Sequence, residues 1–145
     1  MKNFIFIICA AVFIANNSTA QGLLNKQEVV FTKLDSLRGS ITKERAWWDV
    51  KYYHLDVKLN PKDSTITGSN TIKYQVVQEY NRMQIDLQNP LEIHKVIQDG
   101  VELKYSREGN AFFIELIALQ RLGAIKELTV FYGGKPKAAI NPPWD

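Results

Sequence analysis

The chain has 145 residues, 18 basic against 15 acidic, and a single cysteine. Charges of both signs are interleaved, as in "DVKLNPKD" and "SREGN", so the basic block of a nucleic-acid binder is missing. One cysteine excludes an internal disulfide framework.

The first 20 residues read as an export signal rather than as part of a fold. Lys2 supplies a positive start, Phe4 to Ala15 (FIFIICAAVFIA) an apolar run, and Asn16 to Ala20 (NNSTA) a polar tail ending in small residues. Ser18 and Ala20 occupy the positions where signal peptidase requires small side chains, so cleavage is expected between Ala20 and Gln21, releasing the chain to the periplasm, cell surface or medium. A membrane span needs about 20 apolar residues. The alternative is an uncleaved N-terminal anchor, and membrane contact is expected only through that segment. Cys9 lies too early, and after Ile8, to be a lipoprotein cysteine. The mature chain then holds no cysteine and, with Lys2 gone, 17 basic residues against 15 acidic leave +2. That length suits one domain with one core.

A lead-in segment over 21–44 carries the first element. Asn25 to Arg38 (NKQEVVFTKLDSLR) reads as an amphipathic helix, with Val30, Leu34 and Leu37 on one face, a capping box between Asn25 and Glu28, and Gly39 at the C-terminus. From Trp48 the period changes to two, and 45–145 reads as a β-domain. Tyr53, Leu55, Val57 and Leu59 alternate with His54, Asp56, Lys58 and Asn60, the pattern of a strand with one wet face. In "TITGSNTIKYQVV" Ile66, Ile72, Tyr74 and Val76 share a side, and Gly68 is expected to mark a bulge. Met83, Ile85 and Leu87 form a third strand.

Leu91 to Gln98 and Val101 to Tyr105 flank Asp99-Gly100, a pair suited to a type I′ turn. Phe112, Ile114 and Leu116 mark the next strand, and Leu128, Val130 and Tyr132 the last; Leu116 to Ala124 reads as a helical or looped crossover. The expectation is an all-β fold, an antiparallel β-sandwich of about seven strands preceded by a short helix.

Catalytic signals are weak. His54 and His94 sit singly on different strands, whereas a protein zinc site needs three or four converging ligands. Asp56, Asp86, Asp99 and Glu102 are scattered, and no Gly-x-Ser-x-Gly elbow or phosphate loop occurs. No catalytic, cofactor-binding or metal residue is therefore assigned. The aromatics Trp47, Trp48, Tyr52 and Tyr53 cluster at the head of the first strand. They serve as buried packing groups or as rings that stack on a glycan or peptide, the second use defining an autonomous exported binding module.

Three segments, "RAWWDVKYYHLDVKLNPKDSTITGSNTIKYQVV", "MQIDLQNPLEIHKVIQDGVELKY" and "LTVFYGGKPKAAINPPWD", together resemble the N-terminal domain of aminopeptidase-N-type zinc metallopeptidases, closest to the secreted bacterial members, over about Ile41 to Asp145. The resemblance implies a β-domain that packs on a catalytic domain and walls its substrate cleft. In that family zinc is held by a His-Glu-x-x-His helix and a later Glu in the catalytic domain, with peptide as substrate; none of these motifs occurs here, so the chain is expected to be inactive by itself and to bind no zinc. The family's N-terminal domain also lends a Gln or Glu to the free amino group of the peptide. Gln120 is the one candidate, and the matching position is expected beyond Asp145, since the Pro-Pro-Trp-Asp end reads as an interrupted domain.

Overall fold

In the computed structural model the described residues are 30–141, so the export signal, Cys9 and the Ala20/Gln21 cleavage site lie outside them. The chain divides at Val30/Phe31, and the second unit carries every element that follows.

The helix is shorter than its periodicity predicts: α1 spans Lys33–Gly39. Thr32 caps it, its hydroxyl accepting from the Asp35 N–H while the Asp35 carboxylate accepts from the Thr32 N–H. That reciprocal pair satisfies two N-terminal donors and starts the helix after Val30, which stands outside it. The Asn25–Glu28 box lies outside the described residues. A single helical turn, α2 (Lys43–Ala46), then leads into the strands.

Eight strands follow: β1 Trp48–Asn60, β2 Thr65–Val76, β3 Tyr80–Asp86, β4 Glu92–Gln98, β5 Val101–Glu102, β6 Lys104–Glu108, β7 Ala111–Gln120 and β8 Ile125–Gly134. They form two antiparallel sheets, a five-stranded one in the order β1-β2-β8-β4-β5 and a three-stranded one in the order β3-β7-β6. The fold is the expected all-β sandwich. The extra strand arises because the segment after Asp99-Gly100 changes sheets. Val101 and Glu102 pair with β4, Leu103 turns inward with its N–H on the Val96 carbonyl, and Lys104 onward pairs with β7. Asp99 and Gly100 both have positive φ, 50° and 79°, as a type I′ turn requires.

Two other expectations are corrected. Leu116 to Gln120 is no crossover but the second half of β7, and the turn is confined to the four residues before β8. Gly68 marks no bulge: it keeps register with Val57 on one side and Tyr132 on the other. Its missing side chain matters for another reason, because a Cβ there would lie 2.2 Å from the Asp56 carbonyl oxygen. The register shifts fall instead at Val50/Tyr52, Tyr80/Arg82 and Ile93/Lys95.

The core lies between the sheets. Ile72, Tyr74, Val76, Leu128, Val130 and Val96 from the wide sheet meet Met83, Phe112, Ile114 and Leu116 from the narrow one. Burial of each such side chain contributes about 1.5–3 kcal/mol. On the β4/β6 side the sheets are stitched together: the Tyr105 hydroxyl donates to the Ile93 carbonyl at 2.7 Å, and Arg107 pairs with Glu92.

Candidate functional site

Three strands spaced about 4.8 Å apart cannot cover five. The narrow sheet ends at β3, and the far half of β1 overhangs it. Strand alternation correctly separates the apolar side of β1 from its charged side. Yet that apolar side is not buried: Tyr53, Leu55 and Leu59 are 52%, 61% and 68% exposed. Tyr53 and Leu55, together with Trp48, Ile66, Ile85, Leu91 and Tyr132, border an open cleft of about 730 Å³ between the sheets; Leu59 lies beyond its lining. One atom in its lining is polar and unsatisfied: Asn70 Oδ1 is buried without a hydrogen-bond partner among the described residues. An orphaned acceptor in an apolar setting costs about 1–3 kcal/mol.

The tryptophans frame the other end of this region. Trp47 is 1% exposed, donates its indole N–H to the Arg82 carbonyl at 2.8 Å, and meets the Tyr74 ring edge-on at 5.7 Å. Trp48 donates to the Glu44 carbonyl at 3.1 Å and meets Tyr74 at 5.9 Å, its planes 75° apart. Both rings pack edge-on against Tyr74 and clamp it. Trp47 has no free face for a glycan, because the lead-in segment and β3 close over it; of the pair, only Trp48 reaches the cleft.

Beneath the clamp lies a buried polar chain. Gln98 Nε2 donates to the Tyr74 hydroxyl at 2.7 Å, that hydroxyl faces Gln120 Oε1 at 3.4 Å, and Gln120 Nε2 donates to the Ala118 carbonyl at 2.8 Å. Burial pushes the Tyr74 phenol up to about 12, against the opposing pull of the Gln98 hydrogen bond. Gln120 is therefore committed to the core and is not free to meet a peptide amine. Gln84, also buried, ties the lead-in to β3 by donating to the Leu37 carbonyl and accepting from Thr42, and Arg45 pairs with Asp86.

Zinc does not fit the residues present. His54 and His94 lie on β1 and β4, with β2 and β8 between them, a separation of about 14 Å at ordinary strand spacing. Asp99 is paired with Lys126 at 3.0 Å. Among the described residues no three His, Cys, Asp or Glu side chains converge.

No protein-family model and no curated protein matches the sequence. Solved structures do match in fold. The M1 zinc metallopeptidase of Deinococcus radiodurans aligns with a TM-score of 0.57 at 19% identity, over 63% of this chain and 21% of that one. A mutant of an M1 zinc metallopeptidase from the same organism, bound to a Tyr-Ser-Ala substrate, aligns with a TM-score of 0.58 at 19% identity over 68% and 23%. Leukotriene A4 hydrolase of Saccharomyces cerevisiae aligns with a TM-score of 0.51 at 18% identity over 59% and 15%. The fold is that of the N-terminal region of M1 zinc metallopeptidases. The chain spans less than a quarter of each of these chains. In this metallopeptidase-type sandwich the aromatic head of β1 is a structural clamp, and the surface left open is the cleft beside β1. The sequence left the Trp-Trp pair open between packing and stacking on a ligand, and the burial of Trp47 places that ring in the core; the cleft was not legible, because sheet widths are not written in any one strand.

Proposed function

We propose that this chain is the non-catalytic N-terminal β-domain of an exported zinc aminopeptidase, and that its cleft beside β1 is the seat on which the catalytic domain packs. The observation that carries this is the open apolar cleft in a fold shared with the N-terminal region of zinc metallopeptidases. A domain that folds around a complete core rarely leaves so many large apolar side chains of one strand in water unless another surface covers them. The orphaned Asn70 Oδ1 supports the same reading, since a covering segment can supply the missing backbone N–H. In this role the domain positions and walls the substrate groove. Zinc, its ligands and the general base belong to the partner domain, and peptide is bound only in the assembled enzyme. The residues before Gln21 serve export.

The test mixes the chain with a separately expressed zinc-bearing domain, carrying His-Glu-x-x-His, encoded by the same organism. The two should co-elute, aminoacyl-arylamide hydrolysis should rise on mixing, and Leu55→Asp in the cleft should abolish both effects. Chelator-sensitive hydrolysis by this chain alone would overturn the proposal.

A further inference from the structure

The outer backbone edge of β1, which pairs with no other strand among the described residues, is a second surface, separate from the cleft. β1 stands at the end of the five-stranded sheet, and between the register shift at Val50/Tyr52 and Pro61 it runs without interruption over Tyr52 to Asn60. A long unpaired edge offers a row of N–H and C=O groups to another strand, and proteins usually blunt such edges with Pro, bulges or inward charges. Within this run there is no Pro, and Asp56 and Lys58 lie on the face away from the cleft.

Those two charges are unspent. On the β2 side Asp56 lies opposite Ser69 and Lys58 opposite Thr67, and neither side chain has a hydrogen-bond or ion-pair partner among the described residues. The stretch Leu55-Asp56-Val57-Lys58-Leu59 is self-complementary when read antiparallel about its centre. We propose that β1 pairs antiparallel with β1 of a second copy of this chain about a two-fold axis at Val57, joining two five-stranded sheets into one.

Residues opposite each other in an antiparallel pair share a face, so only registers that keep apolar against apolar are allowed. The register centred on Val57 sets Asp56 against Lys58 twice, Leu55 against Leu59 twice, and His54 against Asn60. A register centred on Asp56 sets Asp against Asp and His54 against Lys58; one centred on Lys58 sets Lys against Lys. Like charges directly opposite are destabilising. A register centred on Leu55 leaves Lys58 against Tyr52, with no acid opposite it. Of these registers, the one centred on Val57 pairs both charges, Asp56 with Lys58. An isologous contact of this kind closes at two copies.

Sedimentation velocity of the full chain over a concentration series tests this. The wild type should sediment as a monomer–dimer mixture that shifts to dimer with concentration and back with added salt. Asp56→Lys and Lys58→Asp should each raise the dimer dissociation constant by about tenfold or more, and the double reversal, which restores the pairing in this register alone, should recover most of it. Circular dichroism should show each variant folded, since both side chains are exposed and unpartnered. A chain that stays monomeric across the series, a dimer indifferent to both reversals, or a double variant as weak as the singles would each overturn the proposal.

Discussion

Trp47 and Tyr74 meet edge to face at 5.7 Å with their planes 88° apart, and the Trp47 indole reaches past that contact to the Arg82 carbonyl on the opposite sheet. One side chain thereby joins the lead-in segment, β2 of the wide sheet and β3 of the narrow one. Trp47→Ala should cost about 3–5 kcal/mol in chemical denaturation, because it opens a large cavity and orphans a buried carbonyl. Trp47→Phe keeps most of the volume and should cost about 1–3 kcal/mol, chiefly the unpaired Arg82 oxygen. A neutral outcome for Trp47→Ala would remove the clamp as a structural element.

The Tyr74 phenol gives a pH signature. Its folded value of about 12 stands above the ordinary value near 10, so the unfolded chain loses the proton first as pH rises. The associated stability is fully present below about pH 10 and declines between about pH 10 and 12, by roughly 1–3 kcal/mol. Tyr74→Phe should lack this component, and the difference between the two denaturation profiles across that window isolates it. At neutral pH the same variant should lose about 1–3 kcal/mol, because the Gln98 amide loses its acceptor.

Gly68 should reject any side chain. A methyl group placed 2.2 Å from the Asp56 carbonyl forces β1 away from β2 where Val57 and Gly68 pair. Gly68→Ala should cost about 1–3 kcal/mol and, more diagnostically, should speed amide hydrogen exchange along Asp56 to Lys58.

The cleft residues should behave oppositely. Leu55→Lys and Tyr53→Lys replace side chains that are already mostly in water, so stability should change by less than about 0.5 kcal/mol. Binding of an apolar fluorescent dye such as ANS should fall in both, whereas a core change such as Ile114→Ala should cost about 2–5 kcal/mol.

Acid should loosen α1 before the sandwich. Hydrogen bonds from the Thr32 hydroxyl and backbone N–H hold the Asp35 carboxyl below its ordinary value, so the cap is intact above the usual aspartate range and is lost as pH falls through the lowered one. Amide exchange of the first turn should rise in that range in the wild type, and Asp35→Asn should show the raised exchange already at neutral pH.

The period-two alternation from Tyr53 to Leu59, the Asp99-Gly100 turn and the apolar runs of β2, β7 and β8 were legible in the sequence by itself. Each rests on neighbours within a few residues: side chains alternate across a strand, and a type I′ turn needs residues that tolerate positive φ. By the same logic the sandwich class and the packing capacity of Trp47 follow from composition and order. Tertiary structure decided the rest. It set which apolar stripe lies inside, because β2 is covered by the narrow sheet and β1, with an equally good pattern, overhangs it. It enlisted Gln120 into the core through Tyr74, it moved Gly68 from an expected bulge to a close backbone approach, and it kept two strands between His54 and His94. Alternation states which residues share a face; only the widths and stacking of the two sheets determine whether that face meets a core or water.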